Sequence, residues 1–303
     1  MSHPFRIIEV PEDAAEATEA MGTKFKFWFQ HPELGSCLFK LARSNTGEDW
    51  SEKIAAELAQ LLGLPHARYE LATWKDKPGV VSPSFLPPET ALIHGNDILA
   101  GLVSSYPKTQ VYSLSQHTIA IVLEALTRPG LQPPLDWTPP VGITEAISTF
   151  VGYLLLDAWI GNGDRHHENW GFIVQLPEGI PHLAPTYDHA SCLGRELLNT
   201  KRQERLKRQT VQQYAKKSRS AFYQKQGDKK PMLTFDVFIA IAQRYPKSAT
   251  LWLQQLGQIP LQKVKRLLER LPSKRISPDT IEFSNQMLCF NRRRLLSLRE
   301  NLP

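Results

Sequence analysis

From residue 24 to 30 the chain alternates: Phe25, Phe27 and Phe29 fall on one side, Lys24, Lys26 and Trp28 on the other. Alternation of this kind predicts a half-buried strand. The turn-forming stretch HPELG (31–35) follows, then the short run SCLFKLA (36–42), so the two runs predict a hairpin. SNTGED (44–49) reads as a loop with helix-start residues. From Trp50 the period becomes helical. Ile54, Leu58, Leu61 and Leu62 recur at helical spacing, Gly63 stops the helix, and Pro65 lies beyond it. ARYELATW (67–74) and PGVVSPSFL (78–86) predict two more strands.

After LPPET (86–90) helical patterns dominate. They are expected over 95–102, 114–127, 143–160, 203–221, 234–244, 260–271 and 279–300, with a Pro-rich connector, TRPGLQPPLDWTPPVG (127–142), between two of them. WGFIVQL (170–176) and HLAPTYD (182–188) predict a small ribbon around the turn PEGIP. No internal repeat or low-complexity tract interrupts the pattern. The expected architecture is α+β, with a β-rich N-terminal lobe carrying one helix (1–90) and a mainly helical C-terminal lobe (91–303).

Composition narrows the classes. Hydrophobic residues at 42% against 22% charged are a globular balance, so a disordered chain is excluded. The three cysteines, Cys37, Cys192 and Cys289, are too few and too scattered for a disulfide framework or a metal knuckle, so a cytoplasmic setting is the default. The acidic N-terminal stretch lacks the basic flank and apolar core of a signal peptide. The longest apolar run, Phe150 to Ile160, is too short to span a bilayer and contains Asp157. The net charge of +6 is concentrated between Lys201 and Lys230, where eleven Lys and Arg face two acids. Such a block suits a nucleic acid or another polyanion, or is simply a solvated basic helix.

The chemistry gathers in GNGDRHHENW (161–170) and its surroundings. Lys40 lies mid-strand between Phe39 and Leu41, Glu52 opens the following helix, Asp164 and Asn169 are five apart, and Asp188 ends the ribbon. Phosphoryl transfer uses these residue types in this order: a strand lysine on the phosphates, a helix acid that holds it, an aspartate for the attacking hydroxyl, and Asn and Asp oxygens for Mg²⁺. Each also has a plainer role. Lys40 fits an edge strand, Glu52 the first turn of any helix, and Asp164 a turn. Glu57 competes with Glu52, but Glu52 shares its side of the helix with Ala55, Ala56 and Ala59. His166 and His167 lack the partners and spacing of a zinc site.

GNGDRHHENWGFI resembles the catalytic loop of the HipA-like serine/threonine kinases, a group with a two-lobed protein-kinase-like fold. Its GDRH…N core is also similar to that of the phosphatidylinositol 3- and 4-kinases. LAPTYDHASCLG (183–194) resembles the HipA-like metal-binding segment, WSEKIAAELAQLLGLPHARYEL the helix and following strand, and AMGTKFKFWF (20–29) the nucleotide-binding turn, with Gly22 at its tip. The resemblance implies that Asp164 is the base or the group that orients the hydroxyl, that Asn169 and Asp188 bind Mg²⁺, and that Lys40 binds ATP phosphates with Glu52 as its partner. It implies that His166 stabilises the transferring phosphoryl group and that the backbone near Phe85 and Leu86 meets adenine. His167 and Glu168 are then supporting or solvent-facing residues.

HipA-like toxins often carry autophosphorylated serines before the nucleotide-loop glycine. Glu19 and Met21 occupy those places here, leaving Thr18, Thr23, Ser44 and Thr46 as alternatives. The implied reaction is ATP-dependent phosphorylation of a protein hydroxyl. Translation factors or aminoacyl-tRNA synthetases are the substrates the family suggests, and a toxin or stress regulator the role. An antitoxin partner is left open, because the chain starts near the kinase-like core without the extra N-terminal subdomain of the longest members. The rival readings are a phosphoinositide-type lipid kinase, a nucleotide transferase on the same fold, and a pseudokinase or nucleic-acid-binding protein that uses 201–230.

Overall fold

The computed structural model describes residues 3–14, 17–18, 25–177, 179–300 and 302. Its first part holds β1 (Ile7–Glu9), β2 (Ala17–Thr18), β3 (Lys26–His31), β4 (Gly35–Leu41), α1 (Glu48–Leu62), β5 (Glu70–Trp74) and β6 (Lys77–Pro83). The strands form one sheet in the order β1-β5-β6-β4-β3-β2. Only β1 and β5 run parallel within it. The alternation in β3 and β4 divides their residues between two faces. Phe27, Phe29, Cys37 and Phe39 pack with Ile8, Val10, Ala72 and Val81 on one face. On the other, Lys26 lies opposite Lys40 and Trp28 opposite Leu38. The polar side of the hairpin therefore looks into a cleft rather than into bulk solvent.

Helix α1 packs on this second face through Ile54, Leu58 and Ala56, against Leu71 and Val80. It is also tied to the helical region: Ser51 Oγ donates to the Ala190 carbonyl at 2.7 Å, and Arg275 donates to Asp49 at 3.1 Å and, in β5, to the Ala72 carbonyl at 2.7 Å.

The second part comprises β7 (Thr90–His94), α2 (Gly95–Leu102), α3 (Ile119–Leu126), α4 (Ala146–Ile160), β8 (Gly171–Gln175), β9 (His182–Leu183), α5 (Asn199–Lys207), α6 (Val211–Ala215), α7 (Thr234–Arg244), α8 (Pro246–Gln258), α9 (Leu261–Glu269) and α10 (Pro278–Leu296). Every residue of α4 is buried, as its nearly unbroken apolar sequence requires. It lies at the centre of the largest hydrophobic cluster, which includes Phe238 and Ile241 of α7 and Trp252 and Leu256 of α8. Among the described residues no helix is long and apolar enough to cross a membrane.

The fold is thus α+β, sheet-rich and then helical. Its details depart from the sequence pattern in four places. The ribbon is a three-stranded sheet, because β7 joins β8 on the side away from β9. The expected helix 203–221 breaks into α5 and α6 where Gln209 takes a left-handed conformation at φ 55°. Helix α8, with Pro246 in its first turn, was not foreseen. The expected helix 114–127 starts only at Ile119, where Thr118 caps it by accepting from the Ile121 N–H.

Candidate active site

Helix α4 ends at Gly161, whose φ of 69° is the left-handed turn that favours glycine. The chain then doubles back along the helix end. Asp157, in the last turn of α4, anchors it. Arg165 Nε and Nη2 donate to the two Asp157 oxygens, both at 2.8 Å, and Asn162 Nδ2 donates to Oδ1 at 2.8 Å. Arg165 is 1% exposed and passes its third contact, at 3.0 Å, to the Asn169 carbonyl. Asn169 Nδ2 in turn donates to the Asp164 carbonyl at 2.6 Å, closing the loop on itself. A buried ion pair with all three guanidinium nitrogens hydrogen-bonded fixes geometry, and that geometry presents Asp164 and the Asn169 amide to the cleft.

The two adjacent histidines part company. His166 lines the cleft, with Nε2 at 3.8 Å from Asp164 Oδ1 and Nδ1 accepting the Glu168 N–H. His167 is fully buried rather than solvent-facing: Nδ1 meets the Tyr106 hydroxyl at 3.0 Å, and His117 and Trp170 lie beyond. Burial pushes the His167 imidazole down to about 4 and the His117 imidazole down to about 3, so both are neutral. Glu168 lines the cleft, and its carbonyl accepts the Tyr187 hydroxyl at 2.9 Å.

Asp188 adopts φ 56°, an uncommon conformation for a residue other than glycine, and its N–H donates to the Tyr69 hydroxyl at 3.1 Å. Lys40 Nζ donates to Asp188 Oδ2 at 3.0 Å. Burial alone would push the Lys40 ammonium down. Asp188, with Tyr69 and Glu52 nearby, more than offsets this and holds it well above its ordinary value, so Lys40 is a cation.

The expected Lys40–Glu52 pair is replaced by this Lys40–Asp188 pair. Glu52, 1% exposed, instead accepts the His189 N–H at 2.6 Å and so grips the chain one residue past Asp188. A buried carboxylate needs a donor, and the backbone at His189 supplies one before the lysine does. Glu57 pairs with Lys53 at 2.7 Å.

These groups share one cleft of about 310 Å³, within the range of small-molecule sites. Lys40, Phe85, Leu86, Asp164, His166, Asn169 and Asp188 all line it. Glu52 stands behind its wall, and Gly22 lies outside the described residues. Within the cleft Phe85 stacks on Tyr187 with ring centres 5.7 Å apart, giving an apolar slot beside the backbone of 84–86. Sequence reasoning missed Tyr69, Tyr112, Ser191, Arg43 and Arg195, which also line it. Arg43 and Arg195 both pair with the buried Glu48 of α1, at 3.1 Å and 2.7 Å.

Asn169 and Asp188 offer hard oxygen donors, and Lys26, Lys40, Arg43 and Arg195 offer cations on the same cleft. That donor set fits Mg²⁺ with phosphate oxygens. Among the described residues no group of three or more His, Cys, Asp or Glu is placed to hold a metal.

Sheet, helical core and cleft together define a protein-kinase-like fold of the HipA-like type. Among solved structures, the chain is similar to the Helicobacter pylori proinflammatory kinase CtkA, with TM-score 0.74 and 19% identity over 95% of each chain. It is also similar to HipA of Shewanella oneidensis MR-1, solved with HipB and operator DNA, with TM-score 0.56 and 13% identity over 97% of this chain and 70% of that one. At these identities the likeness is one of fold. No family model matches the sequence, and no curated protein matches it.

Proposed function

We propose that the chain is an ATP-dependent kinase that transfers the γ-phosphoryl group to a serine or threonine hydroxyl of a protein. The observation that carries this reading is the meeting of Lys40, Asp164, Asn169 and Asp188 in one cleft from three separate segments. Lys40 offers its ammonium to the nucleotide phosphates. Phe85, Leu86 and Tyr187 provide the apolar slot for the base. Asp164 takes the acceptor's proton as the hydroxyl oxygen bonds to the γ-phosphorus and the bond to the β–γ bridging oxygen breaks, releasing ADP. His166, across from Asp164, donates toward the transferring group. Asn169 and Asp188 would hold Mg²⁺, which would supply neutralisation of phosphate charge.

The two lobes are assigned to 1–90 and 91–303, with the cleft between them. HipA was solved with HipB, which makes an antitoxin-like protein a reasonable partner to seek for this chain. A translation component as substrate, and a toxin or stress role, belong to the same reading.

The test is incubation of the purified chain with Mg-ATP and a cell lysate, followed by phosphopeptide mass spectrometry. New phosphoserine or phosphothreonine, lost in Asp164→Asn, is expected. Equal signal from wild type and Asp164→Asn would overturn the reading, and an added nucleotide mass would reassign it to nucleotide transfer.

A further inference from the structure

One hydroxyl at the cleft already touches the candidate base. Ser191 Oγ donates to Asp164 Oδ2 at 3.3 Å, and the partly exposed Ser191 lines the cleft. Its carbonyl accepts the Gly163 N–H at 3.1 Å, which fixes residue 191 alongside the catalytic loop. Arg195 Nη2 donates to the same Oγ at 3.1 Å. A hydroxyl, a carboxylate able to take its proton and a guanidinium able to hold the product are thus assembled within one cluster. Of the residues on which HipA-like autophosphorylation would be sought, Ser44 and Thr46 do not offer this: Thr46 Oγ1 bonds the Arg43 carbonyl, and neither lines the cleft, while Thr23 and the Thr18 side chain lie outside the described residues.

We propose that Ser191 is an internal phosphoacceptor, and that its phosphorylation shuts the acceptor side of the cleft. The proposal rests on the kinase reading above. In the step, the Ser191 hydroxyl proton passes to Asp164, a bond forms between Ser191 Oγ and the γ-phosphorus of a nucleoside triphosphate, the bond to the bridging oxygen breaks, and the nucleoside diphosphate leaves. The product carries about two negative charges beside the Asp164 carboxylate. It fills the place an incoming hydroxyl must take, and like-charge repulsion opposes a second acceptor anion there. Arg195 turns its planar fork from Glu48 to the new phosphate, the stronger acceptor, and so keeps the modified residue in the cleft. The device is self-limiting: turnover on the enzyme's own serine ends turnover on others.

The experiment uses the full chain with Mg-ATP, intact-mass measurement, peptide mapping and a generic protein acceptor such as dephosphorylated casein. One phosphate is expected on the peptide containing Ser191. It should form at a first-order rate independent of protein concentration and be absent in Asp164→Asn. Preincubation with ATP should lower transfer to casein about tenfold, and phosphatase treatment should restore it. Whatever initial rate Ser191→Ala has, it should show no decline on preincubation.

Casein phosphorylation with no phosphate on Ser191 overturns the proposal and leaves the kinase reading standing. A concentration-dependent Ser191 phosphorylation without loss of casein transfer also overturns it, since Ser191 would then be a substrate in trans and no switch. Absence of phosphate on any acceptor, Ser191 included, ends both readings together.

Discussion

Two polar stretches of this molecule look alike in one dimension and behave oppositely in three. The loop 161–170 and the segment 201–230 are both crowded with charged and amide residues. In the loop nearly every polar group is committed: Asp157 and Asn162 to the helix end, Arg165 to both Asp157 oxygens, Asn169 back to Asp164. In the basic segment Lys207, Lys216, Lys217, Lys225, Lys229 and Lys230 are exposed, and Glu204 is shared between Lys201 and Arg208 at the surface. Arg202 is the exception, buried with its guanidinium on the Gly194 carbonyl at 2.9 Å. The lesson is that polarity identifies a site only when the fold provides partners. Committed charge positions chemistry, while uncommitted charge keeps a surface hydrated or meets another molecule.

The contrast can be broken by mutation. The largest effect is expected at Asp157→Ala, which strands the buried Arg165 guanidinium. Loss of one partner from such a pair costs about 3–5 kcal/mol, read as a shift in the denaturant midpoint, and phosphotransfer should fall with it. Asp164→Asn keeps the same shape and should leave the midpoint nearly unchanged while lowering phosphotransfer about 10²- to 10⁴-fold. A comparable loss of stability would show Asp164 to be structural.

The pH dependence of stability comes next. His167 and His117 have folded-state values below the ordinary 6.5, so the unfolded chain binds more protons as pH falls through that value. Stability due to their neutral burial is complete above about 6.5 and is lost toward 4 and 3. From pH 7 to pH 5 the fall should be about 2 kcal/mol per histidine, flattened in His117→Asn. Glu52→Ala leaves the buried His189 N–H without its acceptor, costing about 1–3 kcal/mol and loosening Asp188, which should raise the Mg²⁺ concentration needed for half-maximal rate.

Smallest of all, Lys216→Ala with Lys217→Ala should move the midpoint by less than about 0.5 kcal/mol. If the segment meets nucleic acid, the same pair should weaken binding to a mixed-sequence RNA and flatten its salt dependence; unchanged binding would mark the charge as solvation only.

How much of this was legible in the sequence follows the same division. Alternation placed Lys26 and Trp28 on one face because a strand's side chains must alternate; the pairing with β4 adds Leu38 and Lys40 to that face, which lines the cleft. The five-residue step from Asp164 to Asn169 was visible because both belong to one loop. Asp157 passed as an odd charge in an apolar run; its meaning depends on Arg165 folding back eight residues later. The Lys40–Asp188 pair, the grip of Glu52 on His189, and the Ser191–Arg195 pair depend on how distant segments approach, which local periodicity does not encode. Strand β7 escaped because five residues of mixed character carry no clear period until β8 pairs with them.

The ties of α1 and of the sheet have a mechanical consequence. Arg275 bolts Asp49 and the Ala72 carbonyl to the helical region, the Phe5 N–H donates to the Arg270 carbonyl at 2.8 Å, and Ser51 is pinned to Ala190. All of these lie toward the β1–β5 edge or on the helix beneath it. The β3–β4 hairpin at the opposite side reaches across through Lys40 to Asp188. A plate bolted along one margin bends at the other. Changes in the width of the cleft therefore fall to the hairpin, and the Lys40–Asp188 contact is the latch that such bending must open.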